Sequence, residues 1–354
     1  MSETGKNRAL QHRADLGRTA ADDAIGSGAI PTADLTSASQ PTSQTAVAYP
    51  AEAGITSSPD PYRERKPGRR HMSRMMLYRR RFMRNRFAVV GVIIFVLLIL
   101  LAIIGPYLSK WSYYEADFLA LSEAPGPEHW FGTSEAGNDL FAQVTHGLGR
   151  SLIIAVTVSI SVTFLSAVIG AGAALYGGAV EKIILTIIHF LLAVPTFLII
   201  ALLVSDSGGD WKLLTVVLIA FGWFYPARVI WSLALSVREN DYVRAAKYMG
   251  VSRPRTILRH IVPNIGSLLV IQLALSVVST VMSETGLSFL GLGVKLPDVS
   301  LGTLLSQGAN QLESAPWMFW FPAGVLTLLT VSMAFIADGL RDALDPNSNA
   351  GGKA

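Results

Sequence analysis

Six mostly apolar stretches divide the chain, at about 87–107, 150–175, 183–204, 213–235, 265–284 and 317–337. Each is long enough to cross roughly 30 Å of hydrocarbon as a helix. Their apolar runs are continuous, whereas barrel strands would alternate polar and apolar residues, and a backbone in lipid must satisfy its own hydrogen bonds. The pattern therefore predicts an all-α membrane protein of six transmembrane helices, with a six-span core over 87–346 and a short C-terminal tail over 347–354. Pro195 and Pro226 fall inside apolar stretches and are candidates to bend them.

The polar intervals set the organisation around those spans. Residues 1–62 are rich in Ala, Ser, Thr, Gly and Pro and nearly lack large apolar side chains, so too little surface is available to offset ordering entropy. They are expected to form a disordered cytoplasmic tail. No short apolar core near the start matches a cleaved signal peptide, so the first span is expected to remain as an anchor. Residues 63–86 carry eleven Lys and Arg interleaved with Met75, Met76, Leu77, Tyr78, Phe82 and Met83. This mixture predicts a basic interfacial helix on the inner membrane surface. Nucleic-acid binding is the rival for such a stretch, but the span that follows directly pins it to the bilayer.

Loop charge predicts the orientation. The interval after the fourth span holds Arg238, Arg244, Lys247, Arg253, Arg255 and Arg259, while those after the first, third and fifth hold few basic residues. Both termini are then cytoplasmic, with 109–149 and 285–316 outside and 238–263 inside. Composition agrees with a bilayer protein, since 51% of residues are hydrophobic and 15% charged. The net charge of +4 is carried largely by the stretch before the first span. With no cysteine, disulfide frameworks, thiolate metal sites and cysteine nucleophiles are excluded. The chain also lacks a G-x-x-x-x-G-K-[ST] phosphate loop, a G-x-S-x-G elbow and an H-E-x-x-H zinc pair, so it is not expected to be an enzyme or to hold a catalytic or metal site.

The stretch DYVRAAKYMGVSRPRTILRHIVPN, residues 241–264, is the most informative polar interval. Tyr242, Ala245, Ala246 and Met249 share one face of a short helix. Gly250 permits a left-handed cap, and Ser252 with Pro254 can start a second helix running through His260 to a break at Pro263. The small alanines would let another protein's backbone approach closely; a basic loop lying on anionic lipid is the alternative. Glu284, at the end of the fifth apolar stretch, either reaches the outer interface or lies on a substrate path, for which it is a weak candidate. Arg228 is explained by snorkelling from the inner end of the fourth span. His189, Asp338, Arg341, Asp342 and Asp345 are expected to make structural or helix-ending contacts.

These residues resemble a known family. Two alanines, a glycine four residues later, then a His and a Pro before the next span look like the coupling motif of ABC importer permeases. More narrowly, HWFGTSEAGNDLF, YVRAAKYMGVS with RHIVPN, LSFLGLGVKLP and DGLRDALDP resemble, in order, segments of the C-type permease subunits of dipeptide, oligopeptide and nickel importers. The resemblance runs from about Tyr78 to Pro346. It departs at Arg244, where an acid is usual, at Ser134 and Asn138, where Asp and Arg are usual, and at Leu301, where Trp is usual.

The resemblance implies a permease forming half of a translocation path for dipeptides or oligopeptides in the bacterial plasma membrane. Nickel or another small solute is the alternative, and a self-sufficient secondary transporter a more distant one. Implied partners are a homologous second permease, two cytoplasmic ATP-binding subunits carrying ATP and Mg, an extracytoplasmic substrate-binding protein and membrane lipid, with no nucleic acid. No cofactor is expected in this chain. Coupling to the ATPase would fall to Asp241, Tyr242, Ala245, Ala246, Gly250, His260 and Pro263.

Overall fold

The structure, a computed structural model, describes residues 74–206 and 208–344. Expectations for the tail 1–62, the start of the basic stretch and residues 347–354 lie outside the described residues. Those described are mostly helical and contain no strand, only the isolated bridges Ala116 to Asn138 and Thr133 to Asp139 in the irregular stretch between the first two spans. A short α1 (Arg74–Arg84) precedes α2 (Arg86–Leu108) and the long α3 (Leu140–Tyr176). Next come α4 (Gly178–Ala193), α5 (Thr196–Ser205), α6 (Trp211–Gly222) and α7 (Phe224–Arg238). A short polar segment holds α8 (Asp241–Tyr248), α9 (Arg253–Thr256), a π-helical turn (Ile257–Ile261) and α10 (Val262–Asn264). It leads to α11 (Gly266–Phe289), α12 (Leu301–Ala309) and α13 (Trp317–Leu344).

Among the described residues, α2, α3, α6 with α7, α11 and α13 are each long and apolar enough to cross a membrane. The α4–α5 pair qualifies only together, because it bends by 75°. Pro195 sits at that break, where its missing N–H cannot continue the helical ladder. The apolar pattern therefore locates the spans, but two are longer than it predicts. The helix α3 starts ten residues before position 150, through polar Gln143, Thr145 and His146, and α13 continues seven residues past 337 through DGLRDAL. Hydropathy detects what enters hydrocarbon, and both extensions are helix that need not enter it.

The centre of the bundle is α3, which packs on α2, α6, α7 and α11. Its close approach to α7 depends on Gly170, where a Cβ would lie 2.5 Å from the Ala227 carbonyl oxygen. Small residues of this kind let membrane helices pack backbone to backbone, since lipid gives no hydrophobic drive for association. Leu148, Leu152, Val277, Val281, Leu304 and Leu329 form the main core between α3, α11, α12 and α13. A second cluster joins Val158 and Val162 to Ile200 of α5 and Leu214 of α6. The outward faces carry bare apolar side chains, among them Ile93, Leu97 and Ile103 on α2, as a lipid-facing surface requires.

Polar contacts fasten the helix ends. Asn85 caps α2 by accepting from the Ala88 amide, and its Nδ2 donates to Asp342 at 2.8 Å, so Asp342 makes the structural contact expected of it. Arg238 donates to the Ala174 carbonyl at 2.8 Å, tying the end of α7 to the end of α3. Arg228 is exposed on the face of α7 turned away from α3.

Candidate coupling site

The 241–264 segment folds as two short helical pieces joined at a bend, for reasons legible residue by residue. Asp241 lies in the first turn of α8 and Lys247 in its last, each complementing the helix dipole. The helix ends at Gly250, whose φ of +75° places it in the left-handed region. The Val251 amide then donates to the Ala246 carbonyl at 3.0 Å and the Gly250 amide to Lys247 at 3.1 Å, a Schellman ending. Ser252 turns the chain and Pro254 sits in the first turn of α9.

The second piece runs one residue past the expected break at Pro263, to Asn264, and breaks at the non-helical Ile265 before α11. The helix passes into the π turn, where the Val262 amide reaches back to the Ile257 carbonyl, and Pro263 lies inside α10. The wider turn accommodates the proline's missing donor. Ile257 and Ile261 are buried against Ala171 and Ala174 of α3 and Ala234 of α7. The rear of the segment is thus an apolar bolt onto the C-terminal end of the central helix. Arg253 adds a cation–π contact 4.7 Å above the Tyr176 ring.

The helical face is also rotated from the expected one. Val243 and Ala246 turn inward and are buried, whereas Tyr242, Ala245, Tyr248 and Met249 are exposed. Ala246 therefore supports α8 from behind, and Ala245 is the alanine presented to the outside. Around Gly250 a Cβ would meet nothing within 4 Å. Tyr242 receives a hydrogen bond from Asn264 Nδ2, and its ring lies 6.4 Å from that of His260. Tyr242, His260 and Pro263 thus gather where the segment joins α11. Of the residues that share this work, Val243 and Asn264 lie within the stretches YVRAAKYMGVS and RHIVPN and Arg253 lies in neither; only a helical wheel registered on Val243 would have singled out the inward face. Behind α8 is a cavity of about 460 Å³ lined by Gly177, Arg238, Arg244 and Lys247.

The opposite end of α3 is built differently. Asp139 caps the helix, accepting from the Ala142 amide at 2.7 Å, and its other oxygen lies 3.0 Å from His129 Nδ1. The unusual Ser134 and Asn138 satisfy each other's turn, with the Asn138 amide donating to Ser134 Oγ at 3.1 Å. Asp298, in the loop after α11, accepts from Arg150 at 2.7 Å and lies 2.9 Å from His146 Nε2. The unusual Leu301 is fully buried, and its amide donates to Ser151 Oγ at 3.1 Å. Glu284 reaches no outer interface. It is 1% exposed and accepts from the hydroxyls of Ser288 at 2.8 Å and Ser300 at 2.6 Å. The apolar packing of α11, α12 and α3 encloses it with both hydroxyls on one carboxyl oxygen, Oε1, while Oε2 is buried without a hydrogen-bond partner among the described residues.

The geometry thus defines a polytopic helical membrane protein that displays a capped, bolted helix–bend–helix between two spans. Residues 164–349 match the model of the binding-protein-dependent transport system inner membrane component, and residues 73–125 match that of the N-terminal TM domain of oligopeptide transport permease C. The chain belongs to the family of binding-protein-dependent transport system inner membrane components. It is 42% identical over 280 residues to the oligopeptide transport system permease protein OppC of Mycobacterium tuberculosis, covering 78% of this chain and 96% of the relative. The OppC proteins of Escherichia coli K12 and Bacillus subtilis are 38% and 34% identical over 270 and 266 residues, covering 76% and 75% of this chain and 89% and 87% of theirs. It is a multi-pass inner-membrane permease subunit of an ABC importer, a machine with further subunits.

Proposed function

We propose that this chain is the C-type permease of an ATP-driven oligopeptide importer and forms half of its translocation path. The relatives named for oligopeptide transport support the substrate class, and nearly their whole length is matched. A homologous second permease would complete the path, an external binding protein would deliver peptide, and two separate subunits would bind ATP and Mg. Catalysis would belong to those subunits and not to this chain. Segment 238–263 would face the cytoplasm with both termini, while 109–149 and 285–316 would face outward, in line with loop charge.

The observation that carries the reading is the two-sided segment at α8. Its front exposes Ala245, Met249 and the open Gly250 cap, while its rear is bolted by Ile257 and Ile261 to α3 and α7. ATP-driven closure can move membrane helices only through a rigid element gripped by the moving subunit. Tyr242, His260 and Pro263 would brace that element, and Asp241 would start it. Rocking of the two permease halves would then expose the path alternately to either side.

The test is Gly250→Asp in the whole complex, since aspartate tolerates a left-handed backbone better than most residues and the surrounding space is open. The expected result is normal insertion with peptide uptake and peptide-stimulated ATP hydrolysis both lost. Uptake at the wild-type rate would overturn the coupling role.

A further inference from the structure

On one side of the bundle, α3, α5, α6 and α11 line an open cavity of about 290 Å³. Its wall on α11 is a row of hydroxyls, Ser276, Ser279, Thr280 and Ser283, at the i, i+3, i+4 and i+7 spacing of one helical face. Thr196, the first residue after the bend at Pro195, faces the same space. Ser283 and Thr196 are satisfied locally, donating to the Ser279 and Val194 carbonyls at 2.8 and 3.3 Å. Ser276 and Thr280 are not. They are 7% and 5% exposed, line the cavity, and their hydroxyls, like that of Ser279, have no hydrogen-bond partner among the described residues.

A hydroxyl held at membrane depth without a partner costs about 1–3 kcal/mol, whether its residue is buried like Ser276 and Thr280 or exposed like Ser279, so the row implies a polar occupant that lipid cannot provide. No charged side chain lines the cavity, so that occupant is neutral. The row extends over about 10 Å, the length of roughly three residues of extended peptide. Hydroxyls both donate and accept, matching the alternating N–H and C=O of a main chain whatever its side chains. We propose that Ser276, Ser279 and Thr280 form a ladder that hydrogen-bonds the main chain of the passing peptide and holds water between passages. The inference rests on the peptide reading above.

The absence of cysteine from the chain gives a clean test. Ser279→Cys, Thr280→Cys and, as a lipid-face control, Ile93→Cys are placed singly in the full reconstituted complex. Each is exposed to a membrane-impermeant charged methanethiosulfonate, and labelling of this chain is read by mass. Residues 279 and 280 are expected to label far faster than 93. With a transported tripeptide at ten times its half-saturating concentration, their labelling should slow about tenfold, as occupancy leaves about one site in eleven open. Labelling no faster than at 93 would mean that the row meets lipid and would overturn the proposal; so would fast labelling indifferent to a peptide that the wild-type complex transports. If the wild-type complex moves no peptide, the peptide reading itself fails, and with it the occupant named here. As a second arm, Thr280→Val, which keeps the shape and removes the hydroxyl, should raise half-saturation for uptake about threefold to tenfold, whereas Thr280→Ser should not. Equal half-saturation in the two variants would refute the ladder.

Discussion

The two ends of α3 are held by opposite kinds of chemistry. At its C-terminal end, the segment containing α8 is fixed by aliphatic packing of Ile257 and Ile261, and its front is left bare. At its N-terminal end, the loops are tied by polar side chains, with Asp139 on His129, Asp298 on Arg150 and His146, and Glu284 on Ser288 and Ser300. Apolar packing is non-directional and tolerates small sliding, whereas paired charges and hydroxyls fix geometry and lose much when a partner leaves. The first end suits a surface that must transmit force as a body, and the second suits loops that must hold one arrangement.

That contrast can be broken by mutation, and the largest effect is expected at the apolar end. Ile261→Ala removes a fully buried side chain and should lower stability by about 2–5 kcal/mol, read as the denaturant midpoint of the purified chain, with little dependence on salt. A loss under 1 kcal/mol would show that Ile261 is not the bolt. Asp298→Ala leaves Arg150 and His146 without their acid in a largely buried setting, for an expected loss of about 2–3 kcal/mol by the same measurement. Wild-type stability in that variant would dissolve the contrast. Glu284→Leu strands two buried hydroxyls and should cost about 2 kcal/mol, while Glu284→Gln, which keeps an acceptor, should cost under about 1 kcal/mol. Equal losses would mean that the packing there, and not the hydrogen bonding, holds the loop. A loss of at most about 1 kcal/mol is expected for Tyr242→Phe, which loses the exposed oxygen that accepts from Asn264, again read as the denaturant midpoint. A larger loss would show that this contact, and not the aliphatic packing, holds the segment.

Much of this was legible in the residues, and the failures have physical causes. The spans follow from hydropathy because transfer to hydrocarbon is the property that hydropathy measures. The beginning of α3 was hidden for the same reason, since Gln143, Thr145 and His146 report polarity and say nothing against a helix. Gly250 was legible because a left-handed residue strongly favours glycine. Pro263 marked the end of the second piece to within two residues, since the π turn before it removes the conflict that normally makes proline an immediate stop. The inward turn of Ala246 depended on which ridge of α8 meets the bundle, a tertiary fact set by Val243 and not by the alanine pair. Glu284 was misplaced because its partners Ser288 and Ser300 are four and sixteen residues away, and the second is brought in only by the fold.

The length of α3 has a mechanical consequence. Its 37 residues make a rod of about 55 Å, well beyond the thickness of the hydrocarbon. One extremity carries Ala171 and Ala174, on which the α8 segment is seated, and the other carries Asp139, His146, Arg150 and Ser151, to which the far loops are fastened. A tilt of about 10° about one extremity displaces the other by about 10 Å, roughly the width of a helix. The helix therefore joins the two ends of the molecule as one continuous rod, so that a tilt imposed at one end would reach the other without a relay of side chains.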